Sequence, residues 1–167
     1  MPDEKPVQSE EKTMGPSEME ALANLYQVPV SKGTLKQIVG DGEVAPEKSK
    51  AFEEYLKTSA QGLYPSLAPQ IAAGIPTAHL LDPYRQIGKQ MLGENFEPDF
   101  INDVKSSAAL HGSTDEKTGR PVPMTLEQWK QHIMSEPGFG WGYTAQAHER
   151  VNSMLSMLKQ GLEQGKQ

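Results

Sequence analysis

Few residues in this chain have the type and spacing that chemistry demands. The adjacent acids Glu53 and Glu54 come closest to a catalytic carboxylate pair. Glycoside cleavage needs two carboxyl groups flanking one bond, whereas neighbours on a helix point about 100° apart. The pair therefore reads as a solvated helix face. The histidines are His79, His111, His132 and His148, and none pairs with another at i+3 or i+4. A metal site would have to be assembled from distant positions with carboxylates, so neither a metal nor a cofactor is expected. The chain has no cysteine, which removes disulfides, thiol catalysis and thiolate-bound zinc. No G-x-S-x-G elbow or S-x-x-K motif marks a serine nucleophile. Arg85, in Asp82-Pro83-Tyr84-Arg85, can bind an anion or pair with a nearby acid, and pairing is the reading adopted. Gly138-Phe139-Gly140-Trp141-Gly142 has the look of a nucleotide loop. It lacks the third glycine at the right spacing and no strand precedes it. Its glycines serve instead to turn aromatic rings inward.

Composition narrows the classes further. The 167 residues fit one domain with a tail. Net charge is −6, which argues against a phosphate-binding surface, because nucleic-acid affinity needs clustered Lys and Arg. Only 36% of residues are hydrophobic and mean hydropathy is −0.60, so part of the chain must stay outside any core. No apolar run approaches the roughly 20 residues of a membrane span, and MPDEKPVQSEEK lacks a signal pattern. Eight methionines suit gap-filling in a core or an adaptable binding surface.

The elements follow from apolar periodicity and from caps. Residues 1–16, rich in Pro, Glu, Lys, Gln and Ser, are expected to form a disordered tail. Ser17 should cap a first helix carrying Met19, Leu22, Ala23 and Tyr26, and Ser31 a second with Leu35, Ile38 and Val39. Pro46 fits the first position of a third helix, with Phe52, Tyr55, Leu56, Ala60 and Leu63 on one side and a Glu53–Lys57 pair on the other. The densest spacing lies in Ser59–Gly93, where Leu63, Leu67, Ile71 and Ile75 recur every fourth residue. Pro65 predicts a fresh start near Tyr64–Ser66, with Pro69 in the next first turn. Asp82-Pro83 reads as cap and first position of a helix ending at Gly93. Glu97-Pro98-Asp99 should open another, with Phe100, Ile101, Val104, Ala108 and Leu110. Ser113–Pro123 reads as a loop with a hairpin-like turn at Thr118-Gly119. Thr125 and Gln128 form a capping box for a helix placing Leu126, Trp129 and Ile133 inward. Thr144 caps the last helix, whose stripe is Ala147, Val151, Met154, Leu155, Leu158 and Leu162, with fraying over 163–167. Met154 and Met157 fall on different sides of it, so one of them is expected to be exposed.

Three blocks, taken in order, resemble a known module. They are Val28-Pro29-Val30-Ser31 with Thr34-Leu35; Ala60-x-x-Leu63-Tyr64-Pro65-x-x-Ala68 with Ile71-Ala72-Ala73-Gly74 and Pro83-Tyr84; and Met124-Thr125-Leu126 with Trp129, leading to Gly142-Tyr143-Thr144-x-x-Ala147. Together they resemble a helical module of tailed-bacteriophage structural proteins, often found at the C-terminal end of tape-measure, minor-tail or internal virion proteins. The likeness runs from about Leu22 to Leu158. Relatives commonly end the last helix with Phe-Gly, where this chain has Lys159-Gln160-Gly161-Leu162, and this chain reads as a free-standing small protein.

The reading is thus an all-α fold, a compact bundle of six to eight short helices over 17–162 with a disordered N-terminal tail. The resemblance implies a non-enzymatic virion component, made in the host cytoplasm, that docks on tail, portal or internal proteins and could self-associate. Its expected interaction surface is Phe139, Trp141, Tyr143, Met154 and Met157. The alternatives are a small phage-associated cell-wall hydrolase or accessory domain, and a nucleic-acid-associated internal virion protein.

Overall fold

A computed structural model describes residues 13–40 and 42–165. The fold is all-α, with eight helices among the described residues: α1 (Pro16–Leu25), α2 (Lys32–Val39), α3 (Pro46–Leu63), α4 (Ala68–Ala72), α5 (Thr77–Leu92), α6 (Val104–Ser107), α7 (Leu126–Ser135) and α8 (Ala145–Gln164). Short 3₁₀ turns join several of them, and one two-stranded ladder, β1 (Ser113–Thr114) with β2 (Pro121–Val122), completes the list. No described helix is long and apolar enough to cross a membrane. The chain groups into two compact units, one ending at Leu80 and the other beginning at Leu81.

In the first unit, α1 packs on α2 and α3 on α4. Residues 1–12 of the expected tail lie outside the described residues. Thr13–Pro16 are placed: the Val44 N–H donates to the Met14 carbonyl at 2.9 Å, and α1 begins at Pro16. Gly15, not Ser17, is its N-cap, because Pro takes the first helical position, where its missing N–H has no cost. Met19, Ala23 and Tyr26 are buried. Ser31 caps α2 as expected, its Oγ accepting from the Thr34 N–H at 3.0 Å. Gly40 ends that helix at φ 66°, a left-handed conformation that favours glycine. Pro46 opens α3, which buries Phe52, Leu56 and Ala60. It ends at Leu63, and Pro65 starts a 3₁₀ turn that runs into α4, with Pro69 in its first turn. That break explains why the fourfold spacing misleads at its ends. Leu67 and Ile71 are buried, but Leu63 and Ile75 are exposed, since a helical period is lost wherever the helix restarts.

In the second unit, two cap expectations are corrected. Pro83 lies inside α5, which starts at Thr77, not at Asp82. Asp82 instead pairs with Arg85 at 3.7 Å. An internal proline costs about 3 kcal/mol. Leu81 is fully buried and Tyr84 nearly so, and burying each such side chain is worth about 1.5–3 kcal/mol, enough to hold the helix continuous. Glu97-Pro98-Asp99 does not open a helix either. Asp99 Oδ1 accepts from the Ile101 and Asn102 N–H groups, both at 2.9 Å, closing a tight turn. Asp103 then caps α6, accepting from Lys105 N–H and, at 2.7 Å, from the Ser106 hydroxyl. Val104 and Ile101 are consequently exposed, while Phe100, Ala109 and Leu110 are buried. The hairpin-like turn is present. Ser113 pairs with Val122 and Thr114 with Pro121, and Gly119 sits at φ 67°.

Candidate functional site

The second unit is built around Trp129 of α7. The Thr125–Gln128 capping box starts that helix, with both of its hydrogen bonds formed. It sends Trp129 and Ile133 into the core, while Leu126, expected inward, is exposed in the first turn. The Trp129 Nε1–H donates to the Tyr84 carbonyl at 2.9 Å, and the Tyr84 hydroxyl donates to the Met124 carbonyl. Burial pushes that hydroxyl above its ordinary pKa. Rings surround the indole: Tyr84 and Phe100 at 6.3 Å, Phe139 at 5.8 Å edge-on, and His132 stacked at 5.7 Å. The His132 Nε2–H donates to the Lys105 carbonyl at 2.9 Å, tying α7 to α6.

Glu136 ends α7, and two 3₁₀ turns, Pro137–Phe139 and Trp141–Tyr143, carry the chain to α8. Gly140 joins them at φ 66°, where a side chain would be strained. The expected surface residues separate here. Phe139 turns inward onto Phe96, Trp129 and His132. Trp141 is half-buried, and its Nε1–H finds no acceptor among the described residues. Tyr143 is 90% exposed. Thr144 then sets the direction of α8: its hydroxyl donates to the Trp141 carbonyl at 2.7 Å and accepts from the Ala147 N–H at 3.2 Å.

Only the root of α8 is covered. Ala147 is buried, yet every described residue from His148 onward is exposed. Val151, Met154, Leu155, Leu158 and Leu162 are between 54% and 71% exposed, and on a helical projection they fall within about 100° of arc. Met157 is 69% exposed and lies off the stripe, so both methionines face solvent where one was expected to. An open groove of about 370 Å³ runs along the root, lined by Met134, Trp141, Ala147, Val151 and Met154. Arg150 Nη1 reaches the Met134 sulfur at 3.4 Å across it. Sequence reasoning found the stripe but named only Met154 of it, with Met157, as interaction surface. Its exposure has no local signal, because a core stripe and a contact stripe share one periodicity.

Residues that could do chemistry are not gathered here. Glu53 and Glu54 share Lys57, at 3.6 and 3.4 Å, and Glu53 also accepts from the Tyr26 hydroxyl. Arg85 lies over the Phe100 ring at 5.8 Å as well as beside Asp82. Among the described residues, no three His, Asp or Glu side chains stand where they could hold a metal ion. No family model, curated protein or solved structure matches the chain.

Proposed function

We propose that this protein works by docking, as a non-enzymatic structural component of a tailed-bacteriophage particle, made in the host cytoplasm and carried in the virion. One observation carries the docking half of that reading: α8 leaves its root in the core and presents an apolar stripe of about three turns that no other described residue covers. A patch of this size on a globular protein marks a contact site more often than an accident of packing, and most of the stability of an amphipathic helix such as α8 comes from packing its apolar face. The phage half rests on the resemblance of the turn and packing residues between Leu22 and Leu158. Tail, portal and internal virion proteins are the partners it implies.

The hydrolase alternative would need two carboxylates facing across one bond, and Glu53 and Glu54 instead share one lysine. The test is co-sedimentation of the full chain with purified phage tails and virions, beside the variant Leu155→Glu. Association of the parent chain that is lost in the variant supports the proposal. No association with any virion component, or association untouched by the variant, overturns it.

A further inference from the structure

We propose that the α8 stripe is covered by the same stripe of a second copy of this chain, laid antiparallel about a two-fold axis beside Ser156 and Met157. The inference rests on the docking reading above and names its partner.

Spacing is the first support. Val151, Leu155, Leu158 and Leu162 follow one another at steps of four, three and four residues, the seam spacing of two helices crossing at about 20°. That order reads the same in both directions. With the second helix reversed, Val151 meets the partner's Leu162 and Leu155 meets the partner's Leu158, so every layer of the seam is apolar in a single register. Such a contact is self-complementary, as a two-fold interface must be. Gly161, whose missing side chain has nothing within 4 Å, leaves room opposite the partner's Met154.

Area is the second. Five side chains between 54% and 71% exposed offer roughly 60 Å² each by the ratio of burial energy to area. The stripes of two copies would together cover about 600 Å², the size of a weak, reversible contact, to which the groove residues Met134 and Trp141 add.

Charge and direction are the third. Glu149, Arg150, Lys159 and Glu163 of α8 sum to no net charge, and Arg150 and Lys159 flank the seam on opposite sides, so the seam itself carries no charge. Reversal sets the helix dipoles head to tail. It also brings the partner's Leu162 to the mouth of the groove beside Val151 and Met154, extending the apolar contact onto Met134 and Trp141.

Sedimentation equilibrium of the full chain over the micromolar range tests this. A dimer is expected. Leu155→Glu or Leu158→Glu should weaken it by about a hundredfold or more, because each dimer would bury two charges in an apolar seam. Gln160→Glu, on the opposite face of α8, should leave it unchanged. Near-UV circular dichroism of the buried Trp129 verifies that the unit stays folded. Since the chain has no cysteine, direction can be read by cross-linking: Val151→Cys and Leu162→Cys should link to each other when mixed and not to themselves. A monomer at high micromolar concentration, a dimer indifferent to Leu155→Glu, or self-linking of Val151→Cys overturns the proposal. A monomer that still binds phage tails through the stripe overturns it while leaving the docking function standing. A dimer that binds no virion component supports it and overturns that function.

Discussion

At the scale of single residues, Trp129 carries the largest individual share of the second unit. It is fully buried, ringed by four aromatic side chains, and gives its only donor to the Tyr84 carbonyl. Trp129→Phe keeps a ring but drops that hydrogen bond, for an expected loss of about 1 kcal/mol. Trp129→Ala also opens a cavity, and the loss should rise to about 3–5 kcal/mol. Urea unfolding of the two variants separates the contributions. Asp99 and Asp103 contribute to the acid limit. The backbone N–H and side chain of Asn102, with the Ile101 N–H, hold Asp99 below the ordinary carboxylate value of 3.8. The Ser106 hydroxyl, aided by Lys105, does the same for Asp103 against the opposing effect of burial. Both groups ionise more readily folded than unfolded. The stability they contribute is therefore complete above the unfolded value and is lost as pH falls through the lower folded one. Unfolding midpoints should drop below about pH 4, and Asp103→Ala should flatten that acid limb while costing about 1 kcal/mol near neutrality through loss of the cap.

At the scale of elements, α5 holds a conflict between local and global preference. Pro83 withholds a donor in mid-helix, and its neighbours Leu81 and Tyr84 keep the helix intact through burial. Pro83→Ala restores the N–H, worth up to about 3 kcal/mol, but frees the unfolded chain at a cost of about 0.4–1 kcal/mol. A net gain of about 1–2 kcal/mol is expected in thermal and urea unfolding. The base of the hairpin gives the opposite sign. Gly112 donates to the Val122 carbonyl at 2.8 Å, and a Cβ there would lie 2.9 Å from the Met124 backbone. Gly112→Ala should destabilise by about 1–3 kcal/mol, because it is backbone that would have to move.

At the scale of the whole molecule, the mild net charge of −6 and the apolar stripe of α8 predict an association driven by surface burial. Raising sodium chloride screens charges and should change binding to virion components, or to a second copy, less than twofold. Sulfate, which is excluded from protein surfaces, should strengthen it. A steep fall with sodium chloride would instead mean that Arg150, Lys159 or the acids of α8 dominate the contact. Light scattering across a salt series measures the difference.

The amino-acid order alone determined the all-α class, the Ser31, Thr125 and Thr144 caps, the break at Tyr64–Ser66 and the turn at Gly119. Each of these follows from forces acting within a few residues: a side-chain oxygen reaching the next turn, a missing N–H, a glycine free to take positive φ. The helix starts at Asp82 and Glu97 were misread because an aspartate before or after proline can cap, pair or close a turn, and distant partners choose among the three. Tertiary structure alone decided that Phe139 turns inward while Tyr143 stays out, that the chain divides at Leu80–Leu81, and that no other described residue covers the stripe of α8. Periodicity states only that one face of a helix avoids water. Whether its own chain covers that face depends on where the rest of the fold ends, and here the core stops at Ala147 while the helix continues.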